Sequence, residues 1–483
     1  MESTPGGSGD RPADPTATNA SAVPEPPRAL IPALIFIALV VAAIGSLGAP
    51  LVPSVAAAEG VSLAAAQWTL TITLLVGAVA TPLLGRLGDG PRRREVVLAT
   101  LATATAGGLL TALPLGFTPL LLGRALQGVG LGLPPLMIAV ARDTFDGPRR
   151  RSIVSLLSVT TVAGVGIGYP VAGAITQYAG LRSAYATGAG VTALALLAAV
   201  LLVPPSPPRP KHRLDALGAV LLGACLSGLL FAISEAAGTT ISPATLLGIV
   251  IASLFIALLW VRHELRTPHP LVDLRLLRNR SVLAADLTVL LGGASIYLLT
   301  ALIIRLVQTP TAAGYGFGST VIVAGSMLVP MSALSFAASR ATPALTRHIT
   351  SAACLPLGCT LLLTASLIFA ITRTHLWELY TVMAISGLGI GTIFAAIPGL
   401  IIRAVPATET GSALGFNQVL RTIGFSIGSA LSALILQAKT PTGQALPTAD
   451  GYTTAALVGA GLVLATITLT AALRPRHSAA SVS

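Results

Sequence analysis

Two arginines, Arg124 and Arg421, stand well inside apolar stretches of the chain. A guanidinium there is costly to bury, so it faces a cavity or a partner, or, for Arg124, snorkels to the outer interface. Gln127 shares a helical face with Arg124 at i+3, and Asn417 with Arg421 at i−4, with Gln418 beside it. Asp286 lies just inside another apolar stretch, and Glu235 lies near the end of one. Such groups can bind a charged solute or hold and release a proton. Asp286 is either a proton site or a helix-start residue reaching cytoplasmic water. The chemistry of an enzyme needs a nucleophile–base pair, paired acids or metal ligands within the membrane. All six histidines (His212, His263, His269, His348, His375 and His477) fall in loops or tails, and no embedded acid pair exists. No catalytic residue, metal or cofactor is expected, and a sensor is disfavoured because no signalling domain is appended.

The elements that carry these residues are greasy. The chain has 483 residues, of which 54% are hydrophobic and 10% charged, with a mean hydropathy of +0.85. A soluble protein is about 25% charged. Apolar runs cover 29–52, 66–87, 95–115, 119–141, 152–175, 182–203, 215–236, 242–261, 282–306, 318–338, 351–371, 377–402, 412–436 and 452–473. They predict an all-α membrane protein with 14 transmembrane helices. Solid runs exclude a transmembrane barrel, whose strands alternate in hydrophobicity. In hydrocarbon each helix satisfies its own backbone.

Charge placement fits this count. With the amino terminus inside, 23 of the 29 Lys and Arg fall on the cytoplasmic side and four outside, with Arg124 and Arg421 within helices. That bias is what the positive-inside rule expects. The formal net charge of +12 is therefore topology, and nucleic acid is not a partner. A multi-pass plasma (cell inner) membrane protein, monomeric, with both termini in the cytoplasm and the lipid bilayer around it, is expected.

The glycine triads at Gly128 (GVGLGL) and Gly387 (GLGIGT) are eight helices apart. Two six-helix repeats with two helices inserted between them give that offset. The expected divisions are a disordered tail 1–27, a bundle 28–203, a Pro-rich linker 204–213, an inserted pair 214–261, a cytoplasmic loop 262–280, a bundle 281–473 and a tail 474–483. In the loop, Leu271, Leu274 and Leu277 recur among Arg275, Arg278 and Arg280. They suggest either a short helix lying on the inner leaflet or a plain solvated loop. Cys225, Cys354 and Cys359 all sit in apolar runs and are expected as small buried residues.

Three motifs sit on these helices: GRLGDGPRRR at 85–94, RALQG at 124–128 and GVGIGYPVAG at 164–173. With RLDALG at 213–218, HPLVDLRLLRNR at 269–280 and GSALGFNQVLRTIG at 411–424, they make residues 29–473 resemble the major facilitator superfamily, more narrowly its fourteen-helix drug:proton antiporter branch. The resemblance implies a latch between the halves at Gly85, Asp89, Arg92, Arg93 and Arg94. Here Gly90 replaces the usual basic residue and Arg92 the usual glycine. Arg124, beside Gln127, is implied in proton coupling, with Asp286, Asn417 and Arg421 as further coupling or cavity residues. Gly164, Gly168, Pro170 and Gly173 match the antiporter motif, with Tyr169 intervening before Pro170. Ordinary small-residue packing is the plain alternative for that run. The branch usually has an aspartate in the first helix, where this chain has AAIGSLGAPLVPS.

The chain is thus expected to be a secondary transporter, a proton-coupled exporter of a drug-like or metabolite small molecule. A facilitative or uptake carrier is the alternative. No phosphate loop for ATP is present in the sequence. Trp68, Tyr169, Tyr297, Tyr315 and Phe394 are candidate cavity rings. Two embedded arginines facing one cavity, with an acid-free first segment, suggest a neutral or anionic substrate. The topology is checked by single-cysteine labelling: a cysteine introduced within 142–151 should react with membrane-impermeant maleimide only after cell lysis. Reaction in intact cells removes this topology.

Overall fold

The computed structural model describes residues 29–48, 51–61, 63–88, 90–206, 215–235, 241–268, 270–406, 409–441 and 446–473, and among them there is no strand. The expected tails, most of the 204–213 linker, Asp89 and His269 fall outside the described residues.

Helices follow the apolar runs and break where the backbone cannot continue. α1 (Leu30–Ser46) and α2 (Val52–Glu59) split the first run, and α2 ends on Gly60 with φ of 65°, a conformation glycine adopts without strain. α3 (Leu63–Gly88) and α4 (Arg93–Ala112) come next. α5 (Phe117–Val129) turns through the 3-10 segment Gly130–Gly132 into α6 (Leu133–Thr144). Pro134 and Pro135 have no N–H for the preceding turn, which permits this kink. α7 (Gly147–Ala179) and α8 (Leu181–Leu202) are followed by α9 (Ala216–Glu235) and α10 (Pro243–Arg266). α11 (Arg280–Leu287) passes through a π-turn, Thr288–Gly292, into α12 (Gly293–Gln308). The last elements are α13 (Val321–Ser326), α14 (Leu328–Leu345), α15 (Cys354–Ile371), α16 (Leu376–Ala404), α17 (Thr410–Ala438) and α18 (Ala449–Ala472). Eleven described helices, with continuations joined, are long and apolar enough to cross a membrane; Leu30–Val40 and Ala216–Ala232 are shorter apolar stretches.

α1 packs on α7 and α8, and α5 on α3 and α4; α16 packs on α14 and α15, and α18 on α12 and α15. The two sets meet along a seam where α7 touches α13, α14 and α16, and where α17 touches α3 and α6. α9 lies against α10, α3 and α17. α10 leaves Leu247, Ile251, Leu254 and Leu258 exposed, as a lipid-facing helix does.

The glycine triads explain the closest approaches. A Cβ on Gly128 would lie 2.5 Å from the Thr73 carbonyl of α3, and one on Gly132 would lie 2.6 Å from Leu84. In the second triad Gly387 and Gly391 abut the backbone of Met331 and Ser335 in α14, while a Cβ on Gly389 would lie 2.6 Å from the Gly358 carbonyl of α15. Without side chains the backbones close until van der Waals contact is full.

One expectation is corrected. The segment Leu274–Arg278 is a 3-10 turn, not a helix on the leaflet, and it is not a plain solvated loop either. Leu271, Val272 and Leu274 are buried against Leu222, Trp260, Phe416 and Val419, while Arg275, Arg278 and Arg280 are exposed. The leucines find more apolar contact on α10 and α17 than a leaflet surface offers. All three cysteines are free and buried.

The glycine packing gives a stability prediction. Gly391→Leu should destabilise the folded protein by about 1–3 kcal/mol or more by overpacking. Gly399→Ala, which meets nothing within 4 Å, should have little effect. Thermal unfolding of purified protein in micelles measures both.

Candidate functional site

A cavity lies on the seam between the two sets of helices, walled by Pro134, Pro135 and Ile138 of α6, Phe394 of α16, and Asn417 and Arg421 of α17. Its free volume is about 40 Å³, room for a few waters and far below a drug-sized site. A larger guest therefore requires the helices to part. Pro398 has no N–H for the Phe394 carbonyl, so α16 runs on beside the cavity with one backbone hydrogen bond missing. The Arg421 guanidinium lies over the Phe394 ring at 4.9 Å from its centroid. No salt bridge joins it to a carboxylate among the described residues.

Asp286 is buried in the last turn of α11, and its Oδ1 accepts a hydrogen bond of 2.7 Å from the Asn417 amide nitrogen. Its Oδ2 has no hydrogen-bond partner among the described residues. α17 comes close enough for this pairing because Gly424 fits under the carbonyls of the π-turn and Gly428 under Ala294. Widened turns of this kind recur at functional sites. Asp286 and Asn417 are thus joined across two helices, and Arg421 shares the cavity wall with Asn417. Of the candidate rings, only Phe394 lines the cavity. Trp68 packs on Phe231, Tyr297 on Phe425 and Tyr315 on Tyr452, and Tyr169 packs partly buried against the main core.

Arg124 is elsewhere. It is 0% exposed and does not line the cavity, so neither the two-arginine cavity nor snorkelling describes it. Its Nε donates to the Thr69 carbonyl at 3.2 Å, and its Nη1 donates to the Ile44 carbonyl at 3.3 Å and to Gln127 Oε1 at 2.7 Å. The side chain therefore ties α5 to α1 and α3 by backbone carbonyls, without a carboxylate. Its Nη2 has no hydrogen-bond partner among the described residues. Gln127 Nε2 donates in turn to Thr111 Oγ1 at 3.5 Å.

The basic motif after α3 divides its labour. Gly85 is buried and Asp89 lies outside the described residues. Arg93 pairs with Asp143 and donates to the Gly88 carbonyl at 2.6 Å, stitching α3, α4 and α6. Arg94 reaches the Val203 and Val200 carbonyls at the end of α8, at 2.9 and 2.7 Å. Arg92 meets Glu95 at 3.6 Å on the exposed surface. The link across the seam comes from Arg86, which sequence reasoning passed over: its Nη1 lies 2.6 Å from Glu409 Oε2 at the start of α17. The small spacing of α17 on α3 continues at Gly415, whose Cβ would lie 3.3 Å from Pro82 Cα. A signal was available, since Glu409 is an acid two residues before the GSALGFN stretch.

In α7, Pro170 is on the seam: a Cβ on Gly325 of α13 would lie 3.4 Å from its nitrogen. Gly164 is buried, Gly168 is half-buried, and Gly173 has nothing within 4 Å of its Cβ position. The proline turn thus meets the facing helix closely, while the Gly173 position is open.

A helical bundle of this kind with a polar cavity on the seam between two sets of helices defines a multi-pass membrane transporter. A family model for the Major Facilitator Superfamily matches residues 34–429, and the chain belongs to that family. The multidrug resistance protein B homolog of Mycobacterium tuberculosis (strain ATCC 25618 / H37Rv) is 28% identical over 405 residues, covering 78% of this chain and 70% of the relative. The putative multidrug resistance protein MdtD of Escherichia coli (strain K12) is 25% identical over 393 residues, covering 80% and 81%. Among solved structures, the human organic anion transporter MFSD10 (TETRAN) shares the fold with a TM-score of 0.65 at 17% identity, over 92% of this chain and 100% of that one. A peptide transporter POT in complex with alafosfalin does so with a TM-score of 0.61 at 16% identity, over 92% and 94%. The protein is a transporter and not an enzyme.

Arg124→Leu would leave the Ile44 and Thr69 carbonyls and Gln127 without their donor. We expect a loss of about 1–3 kcal/mol, visible as a lower unfolding temperature, with Arg124→Lys intermediate.

Proposed function

We propose that the chain is a proton-coupled exporter of a drug-like or metabolite small molecule, working by alternating access. Fourteen helices cross the plasma membrane, with both termini inside and the inserted pair 214–261 between six-helix bundles 28–203 and 281–473. The observation that carries this proposal is the buried Asp286 held by Asn417, which with Arg421 lines the cavity between the two sets of helices. Alternating access requires a site that either side can reach in turn, and the seam is the place where relative motion opens one. The relatives' names, multidrug resistance protein B homolog and MdtD, support export of foreign compounds.

Asp286 is the proton site in this scheme, because a buried carboxyl behind the cavity wall, with one oxygen that has no hydrogen-bond partner among the described residues, changes the local charge when it takes up a proton. Arg86 and Glu409 form the latch with the 85–94 motif. Their pairing, with the contacts of α6 on α17 and of α7 on α16, holds the basic, cytoplasmic end shut. Breaking the pair tips the balance towards the opposite access state. One proton crossing 100 mV supplies about 2.3 kcal/mol, enough for a concentration ratio of roughly fifty. The transporter works as a monomer.

Proteoliposomes with an imposed pH gradient test this proposal on a compound panel. Proton flow one way should drive substrate the other way. Asp286→Asn should lose that driven component by about tenfold or more while keeping substrate exchange. Substrate moving with the protons would identify an uptake carrier instead. Glu409→Gln should raise the reactivity of cysteines placed on the cytoplasmic face of α17, and Arg86→Glu with Glu409→Arg should restore the original level.

A further inference from the structure

We propose that this cavity, taken as the substrate site as above, selects an amphipathic organic anion, with Arg421 as the specificity-determining group. Three observations converge. The Arg421 guanidinium carbon lies over the Phe394 ring, 4.9 Å from its centroid, and the residue lines the cavity. Asp286, which does not line the cavity itself, is engaged by Asn417 of the cavity wall at 2.7 Å and makes no salt bridge to Arg421 among the described residues. Arg124, the other embedded cation, is occupied by backbone carbonyls and Gln127 away from the cavity. The cavity therefore presents one guanidinium that hydrogen-bonds to no described residue.

A planar guanidinium with no hydrogen-bond partner among the described residues has its N–H edge free for a carboxylate or sulfonate, which it can meet with two parallel hydrogen bonds. Apart from Gln418, the remaining walls are apolar, among them Pro134, Pro135, Ile138 and Ile397. They suit a hydrocarbon or aromatic body, as ligand pockets are mostly apolar with few placed polar groups. A cation in the same place would lie against a fixed positive charge. Asn417 has a second part here: by holding Asp286 it keeps that carboxylate from neutralising Arg421, which leaves the arginine to the substrate. A monoanion leaving a cell is also pulled outward by an inside-negative potential, so the potential and an inward proton gradient act in the same direction.

Three probes of similar size and permanent charge state test this: naphthalene-1-sulfonate, N-methylquinolinium and neutral 1-naphthalenemethanol, bound to the purified full chain in nanodiscs and followed by equilibrium dialysis. The sulfonate should bind about tenfold or more tightly than the quinolinium, the margin expected of a charge-assisted pair. Arg421→Gln should weaken sulfonate binding by about tenfold or more and leave quinolinium unchanged or tighter. Arg421→Lys should keep part of the preference, and Phe394→Leu should weaken the sulfonate several-fold; these two cover the case in which the glutamine variant does not fold. Quinolinium binding as well as the sulfonate, no sulfonate binding at millimolar concentration, or a sulfonate affinity indifferent to Arg421 would each overturn the proposal. Flux separates this idea from the exporter proposal. Sulfonate that binds through Arg421 but is not moved in proteoliposomes removes export and leaves the anion site; efflux of quinolinium in preference to sulfonate removes the anion site and leaves export.

Discussion

Hydrocarbon offers no hydrogen-bond partner, so every charge inside this bundle has to be met by the protein itself. The chain meets that demand in three ways. Arg124 is surrounded by carbonyls that its own bundle leaves available at Ile44 and Thr69. Asp286 is held by a single amide. Among the described residues, Arg421 is met by an aromatic face and by no hydrogen-bond acceptor. The first arrangement engages Nε and Nη1, leaves Nη2 without a partner among the described residues, and acts as a fixed knot. The other two leave capacity free, and that unspent capacity sits together, on the seam.

The seam exists because small residues let backbones approach. Gly128 and Gly132 set α5 and α6 against α3, and Gly387 and Gly391 set α16 against α14. Gly415, Gly424 and Gly428 do the same for α17, first against α3 and then against the π-turn and α12. α17 is thus the helix on which the polar groups converge. It starts at Glu409, which meets Arg86, and carries Asn417 and Arg421 further along. Motion of α17 relative to α3 would act on the basic-end ion pair and on the cavity together. α9 and the buried Leu271–Leu274 strap also rest on α17, through Phe416 and Val419, so the inserted pair is physically connected to the same element.

Much of the architecture was legible in the residues. Apolar run length marks where helices form, since that effect is local and additive along the chain. The repeat of the glycine triads was legible too, and both triads pack in the way small residues predict. Arg421 and Asn417 were readable because a polar residue in an apolar run is conspicuous whatever the fold. The 262–280 strap misled because its leucine spacing says that one side is apolar without saying what covers it. Arg124 misled for a related reason: burial depth was clear, but its neighbours were not.

What the amino-acid order determined by itself is the set of greasy helices, their breaks at proline and glycine, and which polar residues are embedded. What only the tertiary structure decided is how those residues pair. Asp286 finds Asn417 across 131 positions, and Arg86 finds Glu409 across 323. Nothing local specifies either partner, because a side chain's hydrogen-bonding need can be met by any group of suitable chemistry within about 3 Å. Which group comes within that distance depends on helix packing, and packing is a property of the whole bundle.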